Sequence, residues 1–183
     1  GLQVDLLPFG EIEVEGKVMI KGKGLAQIAV NGFREVYENG TDLVSFENKQ
    51  AFKVCTLPGI VILKLIAYDD RPEVRQNDIK DISLILKHYF NIETDIIYEQ
   101  HNDLFEDNRD TPIIAARVLG RQMKRIIGKS IDLEKRVIAI LQREIDNSEK
   151  SKVAELMVRG TDNSIADALE ILKEILQGIK DMV

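Results

Sequence analysis

The hydrophobic pattern of the sequence changes its period near residue 56, and this change constrains the fold more than any other feature. In residues 1–56, apolar residues alternate in short runs separated by glycines, which is typical of β-strands. From residue 57 onwards, apolar residues recur every three or four positions, which is typical of helices. The sequence therefore predicts an α+β fold in which a β-rich part precedes an all-helical C-terminal region.

The predicted elements divide the chain into three parts. Strands are predicted at residues 4–9, 12–14, 18–20, 28–30, 43–46 and 52–55, with a short helix at 33–37. Longer helices are predicted at residues 57–68, 78–90, 112–127, 133–145, 153–158 and 165–179. These elements predict a β-rich portion at 1–56, a helical layer at 57–110 and a C-terminal helical bundle at 111–183.

Composition narrows the class of protein. The chain has 183 residues, of which 44% are hydrophobic, and this is enough to bury a core. Its net charge of −6 argues against broad binding to a nucleic-acid backbone, which requires clustered Lys and Arg. The single cysteine, Cys55, excludes an internal disulfide and a multi-cysteine zinc site. The sequence therefore predicts a cytoplasmic protein without a membrane span.

One charged residue interrupts the first long helix. The segment 57–68 is apolar in every direction around its axis except at Lys64, which falls between Leu57, Ile60, Val61 and Tyr68. An unpaired charge among apolar neighbours is costly. Lys64 is therefore predicted to snorkel, to pair with a carboxylate or to face an anionic ligand.

The next helix supplies two carboxylates that could pair with this lysine. Asp78 projects to the same side as the apolar stripe of residues 78–90, and Asp81 lies at the edge of that stripe. Spacing alone leaves two interpretations open. In one, Lys64 and Asp78 form a structural ion pair with Arg71 and Arg75 on the surface, and in the other these groups form a ligand site.

Several stretches resemble one protein family. Leu57-Pro58-Gly59, Leu63-Lys64-Leu65-Ile66-Ala67, Asp70-Arg71, Arg75, Asp78 and Asp81-Ile82 resemble the distal motif of predicted minimal nucleotidyltransferases. This group includes the AbiEii-type abortive-infection toxins of toxin–antitoxin systems. Residues 4–10 with Ile12-Glu13 are similar to the strand and turn after the family's paired aspartates, and residues 115–123 resemble a later helix. The resemblance spans residues 4 to about 128.

The resemblance implies a fold, a reaction and a set of site residues. The fold is a partial nucleotidyltransferase-type mixed β-sheet, and the reaction transfers a nucleoside monophosphate from an NTP, with Mg²⁺, to an unknown acceptor such as tRNA or a protein. Asp5 matches a metal-binding and catalytic aspartate of the family. Lys64 and Asp78 are the other implied catalytic residues, and Lys64, Arg71, Arg75 and Asp81 are implied to bind the nucleotide.

The chain departs from the family pattern at its start. The family's Gly-Ser turn and Asp-x-Asp pair have no counterpart, and the chain opens directly into a predicted strand. One metal carboxylate in place of three predicts weak Mg²⁺ binding and a truncated chain that is inactive alone. The alternative is a non-catalytic helical interaction protein with the same architecture, which forms a homodimer or docks a partner through its C-terminal helices.

The remaining candidate residues favour structural interpretations. His88 and His101 have no ligand-spaced partner and are predicted to be surface or hydrogen-bonded histidines rather than zinc ligands. Cys55 is predicted to be a buried structural thiol. A basic stripe is predicted to be a solvated helix face, with a polyanion such as tRNA as the alternative ligand. It comprises Arg117, Arg121, Lys124, Arg125 and Lys129.

Overall fold

The fold is given by a computed structural model, which describes residues 6–14, 16–21, 25–46, 50–106 and 109–181. Short antiparallel strands occupy the first third of these residues, and every regular element after residue 56 is helical. The predicted α+β class with an all-helical C-terminal region is therefore confirmed. The division of the chain into three parts stays a prediction.

The strands form two small sheets. Strand β1 (Lys17–Lys21) pairs antiparallel with β2 (Leu25–Ala29), and β3 (Thr41–Ser45) pairs antiparallel with β4 (Ala51–Cys55). Within the described ranges, no hydrogen-bonded ladder joins these sheets into the expected mixed one. Both pairs consist of strands that follow each other closely in sequence, and a short connection permits only antiparallel pairing, since parallel pairing needs a long crossover.

Two predicted strands near the start are not seen as strands. Val4 and Asp5 of the segment predicted at 4–9 lie outside the described residues, and residues 6–9 adopt no regular structure. The segment predicted at 12–14 belongs to a turn in which the Glu13 amide donates to the Gly10 carbonyl oxygen at 2.9 Å. Gly10 has a φ of 93°, a conformation that glycine adopts without strain. The turn therefore replaces the strand, and only Val14 forms an isolated bridge, to Lys17.

The helices follow the predicted positions closely. Every predicted helix is present, and three elements among the described residues were not predicted: α4, a helix of seven residues, and 3₁₀ turns at Asn102–Phe105 and Ser148–Lys150. Helix α4 spans two turns and buries only Ile97, so its apolar pattern is too short to identify from sequence. The helices are α1 (Phe33–Asn39), α2 (Leu57–Asp70), α3 (Gln76–Ile92), α4 (Thr94–Gln100), α5 (Thr111–Ile127), α6 (Ile131–Asp146), α7 (Lys152–Val158) and α8 (Ile165–Lys180).

Side-chain caps fix several helix starts. The hydroxyl groups of Thr56, Ser130, Ser151 and Ser164 each accept a hydrogen bond from a backbone amide in the first turn of the following helix. At Ser164 the bond is reciprocal, because the Asp167 carboxylate accepts from the Ser164 amide. These caps satisfy amides that the helices leave without an internal partner.

Helix α5 lies at the centre of the helical region. It packs against α1, α2, α3, α6 and α8, and its buried residues join those of the other helices in one continuous apolar core. Helices α5 and α8 cross so closely that Gly120 lies against the backbone of Gly178 and Ile175. In the part of the chain that the structure describes, no helix combines the length and apolar character needed to cross a membrane.

Candidate lysine and carboxylate site

Helix α2 positions Lys64 at its contact with α3. The helix begins after Thr56, whose hydroxyl accepts from the Gly59 amide at 3.4 Å, and Gly59 packs tightly against the Gly40 carbonyl oxygen. Because α2 is anchored there, its apolar residues enter the core, and Lys64 lies on the side that faces the start of α3.

Lys64 bridges two carboxylates of α3. Its Nζ donates to Asp78 Oδ1 at 2.9 Å and to Asp81 Oδ2 at 2.6 Å. The two aspartates are three residues apart, so α3 presents both on one face. The side chains differ in exposure, at 25% for Lys64, 12% for Asp78 and 53% for Asp81. The site is therefore half-buried, with Asp78 on the inner side and Asp81 on the outer side.

The second oxygen of Asp78 is unsatisfied. Asp78 Oδ2 is buried and accepts no hydrogen bond from the described residues, and Arg75 Nη1 lies 3.7 Å away as an ion-pair partner. Arg71 is exposed just beyond the end of α2. The structure thus brings Lys64, Asp78, Asp81 and Arg75 together and leaves Arg71 facing the solvent.

The electrostatic surroundings keep Lys64 charged. Partial burial lowers the pKa of Lys64, but the hydrogen bonds to Asp81 and Asp78 outweigh this effect, so the pKa lies above its ordinary value. The ammonium group is therefore protonated throughout the neutral range and can attract an anion but cannot act as a base.

The predicted ion pair between Lys64 and Asp78 is present, and Asp81 is a second direct partner. Asp5 lies outside the described residues, so its predicted position beside Lys64 stays a prediction. The described part of the chain contains no group of three or more His, Cys, Asp or Glu side chains that could hold a metal. The described residues, without Asp5, therefore do not fit a Mg²⁺ site. The catalytic and nucleotide-binding roles also stay predictions.

A neighbouring ion-pair cluster fixes the end of α2. Asp70 Oδ1 lies 2.6 Å from Arg136 Nη2, and Asp69 pairs with both Arg136 and Arg143 of α6. Sequence analysis missed this cluster because its members are more than 60 residues apart, and spacing along one helix carries no signal for it. The cluster holds α2 against α6 and so supports the position of Lys64.

The prediction that the basic stripe is a solvated helix face is wrong for its first two members, whereas Arg125 and Lys129 are exposed. Arg117 and Arg121 have side-chain exposures of only 17% and 11%. Both donate to the Asp181 carboxylate beyond the end of α8, and Arg121 also donates to Asp103. A buried guanidinium needs such partners, and the acids come from distant segments that the pattern of α5 does not reveal.

His101 is a buried and hydrogen-bonded histidine, as predicted. It is 1% exposed, with Nδ1 3.2 Å from Arg121 Nη1 and Nε2 3.3 Å from Gln122 Nε2. Burial lowers the pKa of His101, and the charges of Arg121 and Arg125 lower it further against the opposing effect of Asp103 and Asp181. His101 is therefore neutral in the folded protein at neutral pH.

The pKa shift of His101 predicts a pH-dependent stability. Between the unfolded value of about 6.5 and the lowered folded value, the unfolded chain binds more protons, so stability falls as pH falls through this window. Replacing His101 with Gln should remove this part of the slope in chemical denaturation curves recorded at successive pH values. His88→Gln is the matched control because His88 is exposed. An unchanged slope in the His101 variant would contradict the prediction.

Cys55 is partly buried at the end of β4 and packs against the core. Its Sγ lies 3.5 Å from the Thr56 carbonyl oxygen, and burial raises the pKa of this thiol. A raised pKa leaves little thiolate at neutral pH, so the geometry supports the predicted structural role.

Comparison with known proteins adds no relative. No protein-family model, curated protein or solved structure matches the chain.

Proposed function

We propose that the protein is a nucleotidyltransferase that transfers a nucleoside monophosphate from an NTP to an acceptor, with Lys64 as the cation that faces the nucleotide phosphates. The observation that carries this proposal is the half-buried ammonium group of Lys64, which two acids of α3 hold at the surface of the helical layer. A lysine held in this way is a point charge suited to phosphate oxygens.

The geometry supports a separate role for each charged group of the site. An ammonium group has three N–H donors, and the described residues accept from two of them. One donor therefore remains for a phosphate oxygen. Arg75, which is 46% exposed and lies 3.7 Å from Asp78, can add positive charge at the same rim, and Arg71, the first residue after α2, is proposed as a further nucleotide-binding cation. Asp78 orients Lys64 from the inner side.

The complete reaction requires groups beyond this cluster. NTP and Mg²⁺ are the expected substrate and cofactor, and Asp5 is the proposed metal carboxylate. Mg²⁺ prefers several oxygen ligands, so Asp5 must be joined by further ligands, and the described residues contain no group of three or more His, Cys, Asp or Glu side chains that could hold the ion without it. The acceptor is proposed to be a nucleic acid such as tRNA or a protein.

A transfer assay tests this function. The full-length gene product is incubated with each α-³²P-labelled NTP and with candidate acceptors, and Lys64→Met is expected to lower the rate on the order of 100-fold, as loss of one charge-stabilising group does. Lys87→Met, an exposed lysine of α3, is the matched control and should retain the rate. Equal rates for the wild type and Lys64→Met would exclude the assigned role.

The alternative is a non-catalytic interaction protein, and one observation favours it. The β3–β4 hairpin exposes apolar side chains on one face: Val44, Phe46, Phe52 and Val54. Exposed apolar clusters are common at protein interfaces. Absence of transfer to every acceptor, together with absence of nucleotide binding, would support this alternative.

A further inference from the structure

We propose that Asp81 is a displaceable carboxylate that occupies the anion position at Lys64 until a polyphosphate group replaces it. This inference rests on the proposed function in one respect, since it takes Lys64 as the group that faces phosphate. It goes further by assigning Asp81 to a competing role instead of a ligand-binding one.

The two acids that hold Lys64 are not equivalent. The side chain of Asp78 is 12% exposed and that of Asp81 is 53% exposed. If Asp81 leaves the ammonium group, water hydrates it. If Asp78 leaves, a largely buried carboxylate loses its hydrogen-bonded cation, and its other oxygen already lacks a hydrogen bond from the described residues. Asp81 is therefore the acid that yields to an incoming anion.

Release of Asp81 would leave a suitable position for a phosphate group. Lys64 Nζ would then have two N–H donors available, one formerly bound to Asp81 and one that the described residues leave unused. Two oxygens of the same polyphosphate can accept these hydrogen bonds. Arg75 Nη1 lies 3.7 Å from Asp78 and is half-exposed, so it can approach further phosphate oxygens on the same side.

The charge of the cluster favours displacement of Asp81 by a polyphosphate. While both aspartates remain in place, the charges of Lys64 and Arg75 are balanced by Asp78 and Asp81, so a polyanion approaching the cluster meets no net positive charge. Moving Asp81 into solvent leaves Lys64 and Arg75 with Asp78 as their shared carboxylate, so the cluster gains the net positive charge that attracts a polyphosphate.

Titration with inorganic tripolyphosphate tests this inference without a nucleotide. Isothermal titration calorimetry at low ionic strength is performed on the wild type and on Asp81→Asn, which removes the charge and keeps the shape. The Kd is expected to fall about fivefold in the variant, as loss of one competing exposed ion pair implies. Asp132→Asn, an exposed aspartate of α6, makes the same change in net charge and should leave the Kd unchanged.

A triple variant tests whether the gain in affinity for tripolyphosphate depends on Lys64. Lys64→Met, Asp78→Asn and Asp81→Asn together remove the cation and both carboxylates, so that no buried partner loses its counter-charge. This variant should not bind tripolyphosphate. The inference is overturned if Asp81→Asn binds no more tightly than the wild type, if the triple variant still binds, or if no variant binds.

The transfer assay separates this inference from the proposed function. Tighter tripolyphosphate binding by Asp81→Asn without transfer in any protein would overturn the function and leave the displaceable carboxylate in place. Transfer that depends on Lys64, with an unchanged Kd in Asp81→Asn, would support the function and overturn the inference.

Discussion

Replacing Arg121 with methionine is expected to lower the free energy of unfolding by about 3 kcal/mol, the cost of removing one partner from a buried ion pair. Its guanidinium is 11% exposed and lies 2.6 Å from Asp181 and 2.7 Å from Asp103. Among the described residues, the substitution leaves Arg117 as the ion-pair partner of Asp181, and it removes a hydrogen-bond neighbour of His101. Chemical denaturation at pH 7 measures the change.

Arg159→Met is the matched control because Arg159 forms an ion pair with Glu155 at 3.2 Å in which both side chains are exposed. It should leave the denaturation midpoint almost unchanged, since solvent screens such pairs. Similar effects of the two substitutions would show that burial does not decide the strength of the Arg121 interactions.

The stability that Arg121→Met loses relative to the wild type should also depend on pH. Hydrogen bonds from Arg121 lower the pKa of Asp103, and although burial raises the pKa of Asp181, its hydrogen bonds to Arg117 and Arg121 bring it below the ordinary value. A lowered folded pKa stabilises the protein above the unfolded value of about 3.9 and ceases to do so as pH falls through the folded value. The part of the difference between the wild type and Arg121→Met that comes from these two acids should therefore disappear in strong acid.

Replacing Gly120 with alanine is expected to lower the free energy of unfolding by about 2 kcal/mol. A β-carbon at this position would overlap the Ile175 carbonyl oxygen and lie 3.0 Å from the Gly178 Cα, so α5 and α8 would have to separate. Overpacking of this kind costs about 3 kcal/mol, and the higher helix propensity of alanine returns about 1 kcal/mol.

Ala139→Gly supplies the control for helix propensity. Ala139 lies on the exposed face of α6, so this substitution measures the propensity difference without a packing change, and it should cost about 1 kcal/mol. If the crossing of α5 and α8 can widen without cost, Gly120→Ala will instead stabilise the protein by about the same amount. That result would contradict the close packing of the two helices.

The pairing of Lys64 shows how far sequence reasoning reaches into the site. An ammonium group in an otherwise apolar helix requires a partner, and the next helix carries acids on the matching face. Both facts are local and can be derived from spacing. The relative burial of Asp78 and Asp81 depends on how α3 lies against α2, and no spacing along one helix contains that information.

The stripe on α5 shows where the same reasoning fails. Basic residues on one side of a helix are usually solvated, and nothing within α5 distinguishes Arg117 and Arg121 from the exposed Arg125. Their partners Glu174 and Asp181 lie more than 50 residues later in the chain, and they contact α5 across the crossing where Gly120 and Gly178 bring α5 and α8 close together.

By itself, the sequence determined the change from strands to helices near residue 56, the positions of the longer helices and the need of Lys64 for a counter-charge. These properties follow from neighbours within one or two turns, where periodicity and desolvation act directly. Only the tertiary structure decided that the described strands form two separate sheets, that Asp81 shares Lys64 with Asp78, and that Arg117 and Arg121 are buried. These outcomes depend on the packing of segments far apart in the chain, and many sequences with the same local pattern can pack differently.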